Sequence, residues 1–429
     1  LATLILFGVF AVLLIIGVPV AFSLAASSLA TVVYLGLPTI VVVQQLSAGA
    51  SLTTLIAIPL FIFAGEMMMR GGISERLIAL ASSLVGHLRG GLGQINVLSS
   101  LFFGGVSGSA IADVSAIGGA MIPQMINRGF DRDFAVSVTV SSAVVALLVP
   151  PSHNLILYSA SAGGGISIAD LFAAGIVPAL LLTVVLMVTG AVMARRRGYA
   201  IEPFPGFRAV LRRLVAALPG LLLVGVIFGG IRAGVFTAIE SASIAVVYAV
   251  AVTAVVYRKL TLQNFVEACS GAVRTTGLIV FVIGAAASFG WLLAYLQVPT
   301  AAVNLLTSLT HDKYLLLLLM ILILLVLGTF MDLAPLIIIC TPIFLPVAKA
   351  IGIDPVHFGV ILILKGGLGL ITPPIGSVLF VGTAIGKISI GDTLRTIWPF
   401  YLAVVVVLLT VAYVPALSLW LPSLLRVAH

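Results

Sequence analysis

Charge is scarce in this chain. Asp, Glu, Lys and Arg together make up 8% of 429 residues and 62% are hydrophobic, whereas a soluble domain is about a quarter charged. That shortage excludes an ordinary soluble globular protein. Apolar runs at 1–36, 53–69, 171–194, 214–231, 314–331 and 396–421 are each about long enough to cross a hydrocarbon core of ~30 Å. The expected class is an all-α polytopic membrane protein in a lipid bilayer. The first run has no basic leader and continues into further apolar sequence, so a removable signal peptide is not expected there.

Cysteine is nearly absent too. Cys269 and Cys340 lie in different apolar segments, which offers neither a disulfide framework nor a metal knuckle. A phosphate-cradling loop is also missing. The segment "GTAIGKIS" at 382–389 has the wrong glycine spacing and no Ser or Thr directly after Lys387, so ATP hydrolysis is not expected. The net charge of +8 does not point to nucleic acid, because Arg195, Arg196, Arg197, Arg208, Arg212 and Arg213 share one inter-helix segment, "RRRGYAIEPFPGFRAVLRR". Such a cluster marks a cytoplasmic loop, here 195–213.

What the chain does have is repetition. "ISIAD" at 166–170 returns as "ISIGD" at 388–392, an offset of 222. The proline pairs Pro150–Pro151 and Pro373–Pro374 are 223 apart, and Thr53–Thr54 and Thr275–Thr276 are 222 apart. Asp113 with Asp332, and Pro123 with Pro342, give 219. Five matches in the same order at a nearly constant offset mark a duplication. The halves are 1–205 and 206–429.

In the first half, spanning helices are expected near 2–20, 22–36, 53–70, 133–162 and 171–194. The Gly/Ser-broken stretch 92–127 either crosses once or enters and leaves by one face as a helical hairpin. Charge placement selects the hairpin, because it keeps Arg70, Arg76, Arg89, Arg128 and Arg132 on the side of the Arg-rich loop. Five crossings are an odd number, so the second half is inverted relative to the first, with the N-terminus on the side opposite the Arg-rich loop. That is the inverted-repeat plan of secondary transporters. The corresponding elements of the second half are a hairpin at 314–350 and a broken helix at 356–385. The uncharged 37–52 reads as an outside loop. The amphipathic stretches 72–90 and 260–273 read as helices lying along the membrane surface.

The twin prolines break 133–162 and 356–385 near mid-span, since proline removes a backbone donor and clashes with the preceding turn. Irregular backbone at membrane depth is tolerated only where protein buries it or a wet cavity adjoins it. Freed carbonyls are hard ligands suited to a small alkali cation, and half-helix N-termini suit an anionic substrate. Ser152, His153 and Asn154 follow the first pair and Ser377 follows the second, which makes them substrate candidates. The hairpin segment "GGVSGSAIAD" offers Ser107, Gly108 and Ser109 beside Gly104 and Gly105, and "LGTFMD" offers Gly328, Thr329 and Asp332. Each tip, facing a broken helix, is expected to enclose one sodium ion.

Five polar residues within apolar sequence carry specific expectations, four of them with open alternatives. Asp113 and Asp332 are expected as helix caps, with neutralisation of a nearby cation as the other reading. His153 contacts substrate or carries protons, or is simply hydrogen-bonded in place. Glu240 is expected to anchor a helix end against the other half. Lys365 attracts a carboxylate substrate, holds the place of a cation, or snorkels along a cavity wall. An intramembrane hydrolase would have only Ser107 or Ser152 with His153, and adjacent residues on a broken helix aim poorly at each other. A channel would need charge rings or a carbonyl filter repeat, and neither is evident.

The segments "SGSAIADVSAIGGAMIPQMINRGFDRDFA" with "PPS", "GVFTAIESAS", and "FMDLAPLIIICTPIFLPVA" with "GLITPPIG" resemble the large, DctM-like membrane subunit of TRAP (tripartite ATP-independent periplasmic) transporters, over essentially the whole chain. The resemblance implies an elevator-type carrier in the bacterial inner membrane, driven by sodium, with at least two Na+ ions. Its transport domain is the two hairpins and two broken helices, and the remaining helices form a scaffold. It also implies a small membrane subunit, expected here as a separate chain, a periplasmic substrate-binding protein, and an organic acid substrate: a C4-dicarboxylate, sialic acid or another sugar acid. By motif, the first sodium site takes Ser107, Gly108 and Ser109 with the backbone of Val149 and Pro150. The second takes Gly328 and Asp332 with Gly369, Thr372 and Pro373. The chain departs from the family where Lys365 replaces the usual Asn and where "TAIE" at 237–240 replaces "TPTE". The neighbouring alternative is a self-sufficient sodium/dicarboxylate symporter that needs no binding protein.

Overall fold

The computed structural model describes residues 1–199, 203–310, 312–374 and 376–426; positions 200–202 of the Arg-rich loop and Ile375 after the second proline pair lie outside them. The described residues are helical throughout, and eight of their helices are long and apolar enough to cross a bilayer. The protein is a multi-pass α-helical membrane protein.

The chain path is set by where helices can start and stop. The repeated pentapeptide is a helix start: Ser167 accepts from the Asp170 amide (3.2 Å) to open Ile168–Arg196, and Ser389 accepts from the Asp392 amide (3.1 Å) to open Ile390–Tyr413. A side-chain oxygen there supplies an acceptor to one of the orphan amides of the first turn. Glu240 does the same locally. With Thr237 it forms a capping box at the head of Ala238–Ala251 and is exposed, so it anchors its own helix and not the other half.

The first hairpin runs in along Gly91–Ser107, turns at Gly108 and Ser109, and returns through Ala110–Asp113, a π-turn at Val114–Gly118 and Gly119–Asn127. Its arms are tied by Ser100 donating to Asp113 (2.7 Å). The second runs in along Lys313–Phe330 and back along Leu333–Ala350, with Lys313 Nζ donating to the Gly352 carbonyl across its open end (3.1 Å).

The two halves enter from opposite ends. At one end, Arg197 holds Asp131 and Asp133 near the foot of the first hairpin, and Arg132 donates to the Gly386 carbonyl (3.1 Å). At the other end, Tyr158 donates to the Pro355 carbonyl (2.6 Å) and His357 contacts the Ala412 carbonyl (3.2 Å) beside the foot of the second. The first broken helix therefore passes from Arg132 to Ser161 in one direction, and the second from Pro355 to Gly386 in the other.

The entering half of each broken helix is enclosed by protein, whereas Pro374 at the second break and Phe380 beyond it are exposed. Every residue from Val356 to Leu370 is buried, as is every residue from Phe134 to Ser142. Each has cis peptides at its proline pair, Pro150–Pro151 and Pro373–Pro374. A helix apolar on all sides belongs inside a larger assembly, and at the first break neighbouring helices supply the cover that irregular backbone requires in a membrane, with Pro150, Pro151 and Ser152 all buried.

Three details differ from the sequence reading. Residues 37–52 are not a loop: Ile40–Ala50 is a helix packed on Leu262–Tyr295, so closely that a Cβ at Gly284 would sit 2.9 Å from the Leu46 carbonyl. The small residues of "QQLSAGA" permit that approach, which lack of charge alone did not reveal. Segment 260–273 is not a separate surface helix but the start of the 34-residue Leu262–Tyr295, whereas 72–90 holds a separate helix at Ile73–Val85. Nothing between 273 and 274 breaks the helix, because no Gly-Pro or capping residue intervenes. Last, the hairpins align at 223 and not 219. Ser109 and Asp332, both N-caps of the returning arms, are 223 apart, as are the proline pairs, and Pro123 then matches Pro346. Identity matching had paired Asp with Asp, although Ser and Asp are equivalent caps.

Candidate functional site

The two hairpin tips meet the first broken helix around a cavity of about 310 Å³. Ser109, Ala110 and Ile111 come from the first tip, and Asp332 through Pro335 from the second. Leu147, His153 and Asn154 come from the first break, and Thr275, Leu278, Ile279 and Val282 form a wall on Leu262–Tyr295. The lining is apolar with few polar groups, the usual make-up of a small-molecule site. Among the described residues, Asp332 is its one charged lining residue and no Lys or Arg lines it.

A negative group would therefore depend on helix ends. Ser152, the residue before His153–Ser161, spends its hydroxyl on the Leu147 carbonyl (2.7 Å) and does not cap that helix. The N-terminus at His153 and Asn154 is left without a side-chain cap and opens into the cavity. Free amides and the positive end of the peptide dipole make such a terminus a ready anion site.

At the first tip, Gly108 has φ +59°, and a Cβ there would lie 2.6 Å from the Pro151 carbonyl. Only glycine accepts both the left-handed backbone and that approach. Its own carbonyl accepts from Asn154 Nδ2 (3.2 Å). Ser107 Oγ accepts from the Ser109 amide at 3.4 Å, and Ser109 Oγ from Ala112 at 3.4 Å. Gly104 and Gly105 press on Val149, and Gly105 also on the Pro150 carbonyl. Ser107, Gly108 and Ser109 thus lie against the first break, with Val149 and Pro150 beside the arm that leads to this tip.

The second tip is built differently. Gly369 packs against Gly328, where a Cβ would meet the Gly328 carbonyl at 2.6 Å. Thr372 donates to Leu368 (2.7 Å), and Tyr401 donates to the Ile371 carbonyl, so these break carbonyls already have partners. Asp332 Oδ1 accepts from the Leu333 amide (2.9 Å) and from Ser377 (3.3 Å). Pro373 sits at the break itself, next to Thr372.

Of the substrate candidates, His153 and Asn154 line the cavity. Ser152 is turned into the break, Ser377 onto Asp332, and Lys365 lies against Gly328, outside the lining. The cap reading suits Asp332 and fails for Asp113, which is buried inside the hairpin with Ser100 as partner. Thr275 was visible only as half of a repeated pair. Its place on the wall depends on how the 34-residue helix crosses the tips. Among the described residues no group of three His, Cys, Asp or Glu side chains could hold a metal, so a cation here would rely on carbonyls and hydroxyls.

The family model "Tripartite ATP-independent periplasmic transporter, DctM component" matches residues 7–417. Relatives include the uncharacterized protein YgiK of Salmonella typhimurium, 41% identical over 98% of this chain and 97% of that protein. Another is the sialic acid TRAP transporter large permease protein SiaM of Vibrio cholerae, 38% identical over 96% of each. The crystal structure of the Alcanivorax borkumensis YdaH transporter shares the fold, with a TM-score of 0.58, 16% identity and 86% of each chain covered. An apolar cavity where two opposed hairpin tips meet is in keeping with that match: the chain belongs to the DctM component family of tripartite ATP-independent periplasmic transporters, and it is a transport protein.

Proposed function

We propose that this chain imports an organic acid anion across the bacterial inner membrane, coupled to sodium, by an elevator movement. The moving body is the two hairpins with the two broken helices, within repeats 1–205 and 206–429, and the remaining helices are the scaffold. The uncapped N-terminus at His153 and Asn154, opening into a cavity between opposed hairpin tips, carries this reading. It provides a place for a carboxylate with no basic side chain, as expected of a carrier that must also release its cargo. Relatives in the family carry organic and sugar acids, and SiaM is named for sialic acid.

The coupling-cation places are the two tips. Sodium is held at the first by Ser107, Gly108, Ser109 and the carbonyls of Val149 and Pro150. The second place lies among Gly328, Asp332, Gly369, Thr372 and Pro373. A small membrane subunit, as a separate chain, and a periplasmic binding protein complete the system, in keeping with the tripartite family. The Arg-rich loop 195–213 faces the cytoplasm and the N-terminus the periplasm.

Uptake into proteoliposomes tests the proposal, with N-acetylneuraminate and succinate as probes, an inward sodium gradient, and the cognate binding protein present or omitted. Sodium-dependent uptake that requires the binding protein is expected. Uptake without it, or uptake indifferent to sodium, overturns the respective part.

A further inference from the structure

Lys365 is wholly buried and its Nζ has no hydrogen-bond partner among the described residues. The side chain ends against Gly328, in the last turn of the arm leading to the second tip. A Cβ added at Gly328 would overlap Nζ, so the missing side chain is what makes room for it. Gly369 packs on the same glycine from the other side. Leu336 also closes on Gly328, and among the described residues Lys365 forms no ion pair with a carboxylate. The ammonium thus ends at Gly328, one residue of the place proposed above for the second cation, with no counter-charge paired to it among the described residues.

We infer that Lys365 is a tethered cation filling the coupling-ion place at the second hairpin, so that the chain binds its mobile sodium at the first hairpin alone. This rests on the proposed sodium coupling and deepens it. Two unit positive charges about 4–6 Å apart, at an effective dielectric near 20, repel strongly enough to weaken binding of the second by roughly a hundred- to a thousandfold. Sodium and the ammonium therefore exclude each other at this tip. A lysine is also a poor packing residue at membrane depth, where leucine fits at far lower cost. The neighbouring positions Leu362, Ile363 and Leu364 follow that rule.

The test is the number of sodium ions bound. The full-length chain, in lipid nanodiscs with any membrane subunit that copurifies, is titrated with radiolabelled sodium against a choline background. The wild type is expected to bind one ion per chain. Lys365→Asn is expected to bind two, with Lys365→Gln as the second variant should the first not fold. Gly108→Ala in the wild-type background should abolish binding. Two ions in the wild type, or no gain in either Lys365 variant, overturns the tethered cation and leaves sodium coupling standing. No binding by any of the proteins overturns sodium coupling, and the inference with it.

Discussion

The two hairpins follow the same path in opposite directions and bury opposite chemistry. Between the first hairpin and the first broken helix, Asn96 donates to Thr139 (2.5 Å) and Ser142 to Asn96 (3.3 Å), and within the hairpin Ser100 donates to Asp113 (2.7 Å). All five residues are buried, and Asp113 Oδ1 has no partner among the described residues. The residues 223 positions later are Leu319, Ile323, Leu336, Leu362 and, opposite Ser142, Lys365. The first half thus buries a carboxylate lined by hydroxyls, and the second buries an ammonium against the Gly328 backbone among apolar side chains. Duplication conserved the backbone route because glycine-lined turns and proline breaks dictate it. The buried polar groups diverged because each hairpin encloses its own interior.

That contrast can be broken most forcefully at the tips. Gly108→Val adds a side chain at φ +59°, into the Pro151 carbonyl. Left-handed strain alone is about 1–2 kcal/mol, so sodium-driven uptake should fall by roughly tenfold or more while the protein still reaches the membrane. Uptake in proteoliposomes at matched protein content measures this; normal uptake would mean the first tip needs no close approach.

The interiors are compared by moving the carboxylate. Leu336→Asp puts an acid beside Gly328, where Lys365 ends, and should be nearly neutral for stability. In a Lys365→Met background the same change buries an unpaired charge and should cost roughly 3–5 kcal/mol. Thermal unfolding of the four proteins as a double-mutant cycle gives the coupling; additive effects would show that the two side chains do not meet.

A smaller difference is expected between the two caps. Asp332→Ala removes both the Leu333 amide bond and the Ser377 contact and should cost about 1–2 kcal/mol, whereas Ser109→Ala gives up one long bond of 3.4 Å and should cost under about 1 kcal/mol. The smallest contrast should be no contrast: Ser167→Ala and Ser389→Ala remove matching helix starts and should each cost about 1 kcal/mol. Unequal melting shifts would mean that one repeated pentapeptide does more than cap.

Much of this molecule was legible beforehand, and for local reasons. Proline pairs stop helices wherever they stand, so the breaks at 150–151 and 373–374 needed no tertiary information. The hairpin turns at Gly108 and Asp332 were marked by glycine, serine and a capping acid. By contrast, the helix at Ile40–Ala50 was hidden, because its stability comes from close packing on Leu262–Tyr295 and not from any local start or stop signal. Asp113 was misread as a cap because residue identity does not reveal which way a side chain faces.

Composition, the repeated caps and the breaker residues by themselves determined an all-α membrane protein whose helices start and break at set places, since hydropathy and backbone sterics act over a few neighbouring residues. The tertiary structure alone decided that Thr275 faces the tips, that Ser152 closes its own break while the next amides stay open, and that Lys365 ends beside Gly328. Those facts depend on how helices distant in sequence cross one another. Side-chain direction and desolvation are set at such crossings, and no local pattern encodes them.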